Sequence, residues 1–137
     1  MPTPPPNHYL PAGSFQGKNA FVTGGGTGLG LEISRGLAAL GAHVTIASRS
    51  TEHHEGFLAE AEAQGWDADA VVLDVREDPS VRETIDTFCE RRGSIDILIN
   101  NAAGNFVCPA ERLSMNAWRS VLGIVLDGTF SCSKYAG

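Results

Sequence analysis

The stretch that decides the fold is TGGGTGLG, residues 23–30, which follows a short apolar run at residues 20–22. Apolar residues then recur at helical spacing from Leu29 to Leu40, so the glycines join a predicted strand to a predicted helix. Glycine lets the backbone approach a phosphate closely, and the start of a helix offers free N–H groups and a positive dipole end. A glycine cluster alone is also typical of a plain turn. Its position between strand and helix favours a loop that binds a pyrophosphate.

The spacing of these glycines is not the common GxGxxG fingerprint, which fits no frame of the stretch. The pattern GxxxGxG fits instead, and it runs from Gly24 through Gly28 to Gly30. We therefore expect the whole stretch to contribute to nucleotide binding, and its members are Thr23, Gly24, Gly25, Gly26, Thr27, Gly28, Leu29 and Gly30.

The rest of the chain continues the same alternation of strands and helices. Strands are predicted at residues 20–22, 44–47, 71–73 and 95–99, and helices begin near Leu29, Thr51, Asp78 and Ser114. With short connections and the right-handed crossovers that such units adopt, this alternation gives a parallel sheet with helices on both faces. The expected fold is α/β, a doubly wound Rossmann-type sheet with strand order 3-2-1-4. Strand four would be an edge although its continuous apolarity is typical of an interior strand, so we expect only part of a domain.

Helix boundaries are marked by capping residues. Asp78 is predicted to cap the third helix with Pro79 in its first turn, and Ser114 to cap the fourth. Gly41 and Gly65 are predicted to end the first two helices.

Composition excludes several functional classes. The net charge of −6 argues against a nucleic-acid partner, which needs clustered Lys and Arg. The three cysteines, Cys89, Cys108 and Cys132, have neither disulfide-framework nor zinc spacing, and we expect free thiols in the cytoplasm. Adjacent helical residues such as His53 and His54 point about 100° apart, so no metal site is predicted.

The N-terminal residues differ in composition from the rest. Residues 1–16 are rich in proline and lack the basic and apolar regions of a secretory signal, so we expect a disordered leader. Residues 17–137 form the predicted nucleotide-binding unit. No apolar run approaches the roughly 20 residues that a bilayer crossing needs, and no membrane span is expected.

The end of the second strand indicates which nucleotide is bound. An NAD site usually places Asp or Glu there to hold the ribose hydroxyls, whereas this chain reads Ser48-Arg49-Ser50. A guanidinium can bind a 2′-phosphate with two parallel hydrogen bonds. Arg49 and Ser50 therefore favour NADPH or NADP, the alternative being that Arg49 is a solvated surface residue.

Three motifs at strand ends resemble those of the short-chain dehydrogenase/reductase family. They are TGGGTGLG after strand one, Asp74 in the sequence LDV after strand three, and Asn100-Asn101-Ala102 after strand four. The resemblance covers the chain from about Gly17 to its last residue. It implies that Asp74 holds the adenine amino group and that the asparagine–alanine segment lines the nicotinamide ribose. Two of these strand ends add the expected cofactor residues Asp74, Val75, Asn101, Ala102 and Ala103.

A narrower resemblance lies in the strings NNAAGNF (100–106), CPAERLSMNAW (108–118) and VLDGTF (125–130), which look like the 2,4-dienoyl-CoA reductase branch. It implies that Asn105 hydrogen-bonds the thioester oxygen of an acyl-CoA substrate. Phe106 and Ser114 would lie along the acyl-CoA path, and Arg76 would meet the CoA phosphates. Each has an alternative reading: Asn105 as a turn residue, Ser114 only as a helix cap, and Arg76 as a solvated side chain.

One departure from the wider family supports the narrower branch. Most members carry a catalytic Asn where this chain has Val125, and dienoyl-CoA reductases are similar to this chain in lacking it. The resemblance implies hydride transfer from NADPH to a conjugated dienoyl thioester, with hydrogen bonds at the thioester oxygen that strengthen as charge gathers there.

The Tyr and Lys that move the proton in this family are not matched, since no Lys lies four residues after Tyr135. We therefore expect this chain to be the N-terminal half of an enzyme and to be inactive by itself. The whole enzyme is expected to be a homodimer or tetramer. A carbonyl reductase, such as a 3-oxoacyl-thioester reductase, and a non-catalytic nucleotide-binding module remain alternatives.

Overall fold

The computed structural model describes residues 10–137, and residues 1–9 of the predicted leader lie outside this range. Four strands form one parallel sheet: β1 (Asn19–Thr23), β2 (His43–Ser48), β3 (Ala68–Val72) and β4 (Ile97–Asn100). Their order is β3-β2-β1-β4, which confirms the predicted 3-2-1-4 arrangement.

Five α-helices accompany the sheet: α1 (Gly28–Ala39), α2 (His54–Gln64), α3 (Asp78–Arg92), α4 (Met115–Leu122) and α5 (Gly128–Ala136). Short 3₁₀ turns at Thr51–His53 and Ala110–Arg112 precede α2 and α4. A π-helical segment, Gly123–Asp127, joins α4 to α5, so the single helix predicted from Ser114 continues to Ala136 with this interruption.

Helix ends follow the local chemistry that the sequence indicates at three of four positions. The Ser114 hydroxyl accepts a hydrogen bond from the Ala117 N–H at 3.1 Å and caps α4. Gly65 follows α2 with φ of 73°, and Gly41 follows the end of α1 with φ of 100°, conformations that favour glycine.

The predicted cap at Asp78 is wrong. Asp78 is the first residue of α3 rather than its cap, and the cap position belongs to Glu77. Its carboxylate accepts hydrogen bonds from the Ser131 hydroxyl and the Tyr135 hydroxyl, each at 2.7 Å. These donors, Ser131 first, hold the pKa of Asp78 below its ordinary value. Asp78 therefore joins α3 to α5, because charged oxygen is better satisfied by two hydroxyls than by a single backbone N–H.

Replacing Asp78 with asparagine is expected to destabilise the fold at neutral pH and to matter less in acid. The depressed pKa means that the folded state favours the carboxylate. Its contribution is complete above the unfolded pKa and is lost as the pH falls through the folded value. In urea unfolding, the difference in free energy of unfolding between wild type and D78N should be constant from pH 7 to about 5 and should narrow below about pH 4. A gap that widens in acid would contradict this role.

The core lies on both faces of the sheet, because neighbouring strand residues point in opposite directions. Phe21 packs under α3, where its ring meets Phe88 edge-on with centroids 5.7 Å apart. Val22 faces the other side, with Ile46 and Phe57 under α1 and α2. All five of these side chains are buried, so the doubly wound arrangement is set by apolar burial on both faces.

The outer strands differ slightly from their predicted bounds. β4 begins at Ile97, two residues later than predicted. The residues just before it contact Asn19 instead: the Asn19 N–H donates to the Asp96 carboxylate, and the Asn19 side-chain amide donates to the Ser94 carbonyl. Before β1, residues 12–16 of the predicted leader form turns, and Phe15 packs against the α1 side of the core.

Candidate nucleotide-binding site

A cleft of about 570 Å³ lies at the carboxyl ends of the four strands, where doubly wound sheets place their ligands. The residues that line it are Gly24, Thr27, Ala47, Ser48, Arg49, Ser50, His53, Leu73, Asp74, Val75, Asn101, Ala102, Ala103 and Ile124.

The glycine loop is packed so closely that side chains are excluded. A Cβ placed on Gly30 would overlap the Gly24 carbonyl oxygen and the Asn101 side-chain nitrogen. That nitrogen donates to the same Gly24 oxygen at 3.1 Å, so neither atom is free to move away. Gly24 itself has φ of 65°. The contact of Gly24, Gly30 and Asn101 therefore holds the loop against the segment that follows β4.

Two more glycines of the loop have no room for a side chain, whereas a third faces open space. A Cβ on Gly25 would lie 2.7 Å from Ile46, and one on Gly26 would lie 2.5 Å from the His53 carbonyl oxygen. Gly28 has nothing within 4 Å of such a Cβ. The first-turn N–H groups of α1 have no acceptor within the helix. A dinucleotide fits here, since the loop backbone is bare and the helix start is open.

Thr23 lies beneath the cleft and joins two strand ends. Its hydroxyl oxygen accepts from the Asn101 N–H at 3.1 Å and the Ala102 N–H at 3.0 Å, and its proton is donated to the Ile99 carbonyl at 3.4 Å. These bonds position the asparagine–alanine segment beside the glycine loop.

Arg49 lies exposed on the rim of the cleft at the end of β2. Within residues 10–137 it forms no ion pair. Next to it, the Ser50 hydroxyl accepts from the Glu52 N–H at 3.2 Å and caps the 3₁₀ turn. The guanidinium is thus left available to an anion.

Ser48 and His54 support this rim from below. The Ser48 hydroxyl donates to the Ser50 carbonyl at 2.9 Å, so the 2.7 Å contact with His54 requires Nε2 of His54 to be the donor. Burial, and then the charge of His53, lower the pKa of His54. His54 is therefore a neutral structural donor near neutral pH.

Asp74, at the end of β3, is paired with Arg76. The Arg76 guanidinium contacts the carboxylate at 2.9 Å through Nε and at 2.5 Å through Nη2, and the Arg76 N–H adds a bond of 3.0 Å. The side-chain bond from Arg76 is the main cause that lowers the pKa of Asp74, and Arg49 contributes least. The positive charge of Arg76 offsets that of the carboxylate, so the carboxylate repels a phosphate in the cleft less strongly.

Nine predicted cofactor residues line the cleft together: Gly24, Thr27, Arg49, Ser50, Asp74, Val75, Asn101, Ala102 and Ala103. The other loop residues, Thr23, Gly25, Gly26, Gly28, Leu29 and Gly30, shape or flank it. The lining also includes Ala47, Ser48, His53, Leu73 and Ile124, which were not among the predicted site residues. His53 could have been found by following the chain past Arg49, whereas Ile124 is brought in from the distant π-helical segment.

The predicted substrate residues lie outside this lining. Asn105 and Phe106 are exposed in the loop after β4, and 55% of the Phe106 surface is accessible. Ser114 is exposed and its hydroxyl caps α4, while Arg76 contacts Asp74.

A family model described as short chain dehydrogenase matches residues 18–136. The chain belongs to this family. It is 40% identical over 119 residues to a probable 2,4-dienoyl-CoA reductase [(2E)-enoyl-CoA-producing] of Bacillus subtilis, covering 87% of this chain and 47% of the relative. It is also 40% identical over 129 residues to the peroxisomal 2,4-dienoyl-CoA reductase [(3E)-enoyl-CoA-producing] of Rattus norvegicus, covering 93% and 44%. Both relatives confirm the resemblance to the dienoyl-CoA reductase branch.

Among solved structures, a gluconate 5-dehydrogenase from Burkholderia cenocepacia in complex with NADP and tartrate is similar, with a TM-score of 0.81 and 36% identity. The match covers 88% of this chain and 48% of that one. The chain thus spans less than half the length of these proteins. The family match makes this chain part of a protein of the short-chain dehydrogenase family, which consists of oxidoreductases.

Among residues 10–137, none of the helices has the length and apolar character that a bilayer crossing requires. No group of three or more His, Cys, Asp or Glu side chains in this range is arranged to hold a metal ion.

Proposed function

We propose that this chain is the NADPH-binding half of a reductase that acts on 2,4-dienoyl-CoA. The observation that carries the proposal is the cleft rim at the end of β2, where Arg49 is exposed, free of ion pairs within residues 10–137, and beside Ser50. The ribose-binding carboxylate of an NAD site has no counterpart at this position. A 2′-phosphate would meet a guanidinium instead of a repelling charge.

The rest of the cleft divides into matching parts. The pyrophosphate would lie over the glycine loop and the start of α1, because bare N–H groups and the helix dipole favour negative charge there. Asp74 and Val75 would hold the adenine, and Asn101, Ala102 and Ala103 would border the nicotinamide ribose. The pairing of Asp74 with Arg76 is compatible with this assignment, because it favours the ionised carboxylate, whose oxygens accept hydrogen bonds from an amino group.

When bound, the nicotinamide supplies the hydride for reduction. Asn105 is assigned to hold the thioester oxygen with its side-chain amide, because it follows the cofactor-lining segment after only Gly104. A donor at that oxygen is most effective when negative charge develops on it. Phe106 and Ser114 are assigned to the acyl-CoA path. Arg76 is assigned to the CoA phosphates, for which it must share its guanidinium with Asp74.

We place the proton-transfer group outside these 137 residues. Tyr135, the Tyr next to Lys134, donates its hydroxyl to Asp78 and does not line the cleft. The 137-residue chain by itself is therefore proposed to bind nucleotide without turnover.

A stable parent assembly is proposed as a homodimer or tetramer. The helical region from α4 to α5 leaves apolar side chains exposed, with 49% of Trp118, 61% of Leu126 and 66% of Phe130 accessible. Surfaces of this kind favour contact with another subunit or with another part of the protein. We propose a cytoplasmic location for this chain, noting that the Rattus norvegicus relative is named peroxisomal.

The substrate assignment is tested with the intact protein, by which we mean the full-length reductase of which this chain is the proposed half. The assay contains NADPH and either a 2,4-dienoyl-CoA or a 3-oxoacyl-CoA. We expect NADPH oxidation with the dienoyl thioester, and a fall in kcat of about a hundredfold for Asn105→Ala. Asn116→Ala, at an exposed position of α4, is the matched control and should leave the rate unchanged.

Two outcomes favour the other functions. Faster oxidation with the 3-oxoacyl thioester supports a carbonyl reductase. NADPH binding by the intact protein without oxidation in either case supports a non-catalytic nucleotide-binding module.

A further inference from the structure

His53 lies on the cleft rim beside the glycine loop, although no motif indicated a role for it. It is the last residue of the 3₁₀ turn Thr51–His53, it is exposed, and it lines the cleft. Its backbone is held tightly: a Cβ on Gly26 would lie 2.5 Å from the His53 carbonyl oxygen and 2.8 Å from the His53 Cβ. The imidazole is therefore carried by backbone that touches the phosphate loop.

The turn that carries His53 is fixed at both ends. Ser50 caps its start through the bond from Glu52, and His54, immediately after it, is buried and donates to Ser48. His54 is committed to this internal bond, and of the two histidines only His53 lines the cleft.

The charged groups around His53 leave it suited to an anion. Arg49 lies on the same rim, and Asp74, on the β3 side of the cleft, is already bound by Arg76. The neighbours in the chain are Glu52 and His54. The glycine loop adds no titratable side chain. A phosphate at this rim would thus meet Arg49 and His53 with little competing negative charge.

We propose that His53 is a specificity-determining residue whose imidazole, together with the Arg49 guanidinium, binds the 2′-phosphate of NADPH. The inference rests on the proposed NADPH site and deepens it. Both donors lie in the stretch that follows β2, four residues apart on the same rim, so one phosphate would accept from both. Such a pair of donors distinguishes NADPH from NADH, because NADH has a hydroxyl in place of the 2′-phosphate.

The test compares nucleotide binding by wild type, His53→Gln and His53→Ala in the intact protein. Calorimetry near pH 6.5 should show NADPH affinity reduced about tenfold in His53→Ala, the size of one lost charge-assisted hydrogen bond. NADH affinity should stay within about twofold of wild type, because NADH lacks the phosphate. His53→Gln keeps a hydrogen-bond donor of similar length and guards against a loss of folding.

His53→Gln separates a charged donor from a neutral one. Because glutamine keeps a hydrogen-bond donor but carries no charge, its NADPH affinity is expected to lie between those of wild type and His53→Ala.

Three outcomes overturn the proposal. Equal losses of NADPH and NADH affinity would mean that His53 only supports the glycine loop. Unchanged affinity for both nucleotides would make His53 a solvated surface residue. Wild type that binds no NADPH would overturn the proposed function as well, which makes the two failures distinguishable.

Discussion

Gly30→Ala is expected to lower the free energy of unfolding by about 3 kcal/mol and to abolish tight nucleotide binding. The new Cβ would overlap the Gly24 carbonyl oxygen and the Asn101 side-chain nitrogen, which are hydrogen-bonded to each other. Relief requires the glycine loop to separate from the segment after β4. The same movement displaces the backbone that is assigned to the pyrophosphate. Urea unfolding and NADPH calorimetry measure the two effects.

Gly36→Ala is the matched control in the same helix. A Cβ at Gly36 meets nothing within 4 Å, so only helix propensity changes. We expect a gain in stability of about 1 kcal/mol and unchanged NADPH affinity. If Gly30→Ala were as stable as Gly36→Ala and bound NADPH equally well, the close packing of the glycine loop would have no energetic role.

Arg49→Gln is expected to weaken NADPH binding about a hundredfold and to leave NADH binding nearly unchanged. The guanidinium is exposed on the cleft rim, so its loss removes a charged donor without leaving a buried group unpaired. Arg49→Lys keeps the charge but not the two-pronged geometry, and an intermediate affinity is expected.

The control for charge is Arg82→Gln. Arg82 lies on α3, away from the cleft lining, and its nearest carboxylate is Asp86 at 3.6 Å. The change in net charge is the same as in Arg49→Gln, so a general electrostatic effect would weaken NADPH binding in both variants. Equal loss of NADPH and NADH affinity in Arg49→Gln alone would indicate a role for Arg49 in the loop structure rather than in phosphate recognition.

The order of the strands could be predicted because its causes are local. Strands such as residues 44–47 are short and continuously apolar, helices such as the one from Leu29 have helical spacing, and the connections are short. With right-handed crossovers these facts leave few topologies. Glycines at 41 and 65 end helices for a reason that is contained in their own backbone.

What could not be predicted depends on partners that are distant in the chain. Asp78 has the residue type and position of a cap, yet two hydroxyls from α5 bind it instead. Ile124 reaches the cleft only because the helical segment after α4 packs against residues that follow β3 and β4, among them Val75 and Gly104. Neither contact can be inferred from the residues that adjoin Asp78 or Ile124 in the sequence.

The pairing of Arg76 with Asp74 lies between these cases. The two residues are two apart, so their proximity could be expected, but the sequence offered no reason to prefer this ion pair to solvent or to a CoA phosphate. The structure gives Arg76 a contact that competes with the substrate role assigned to it.

The most direct test is a calorimetric titration of the intact wild-type protein with NADPH and with NADH, at one fixed salt concentration. The cleft geometry predicts saturable NADPH binding in the micromolar range, about a hundredfold tighter than that of NADH. Binding of NADH that equals or exceeds that of NADPH, or retention of neither nucleotide, would contradict the assignment of Arg49 to the 2′-phosphate and with it the NADPH-dependent reductase.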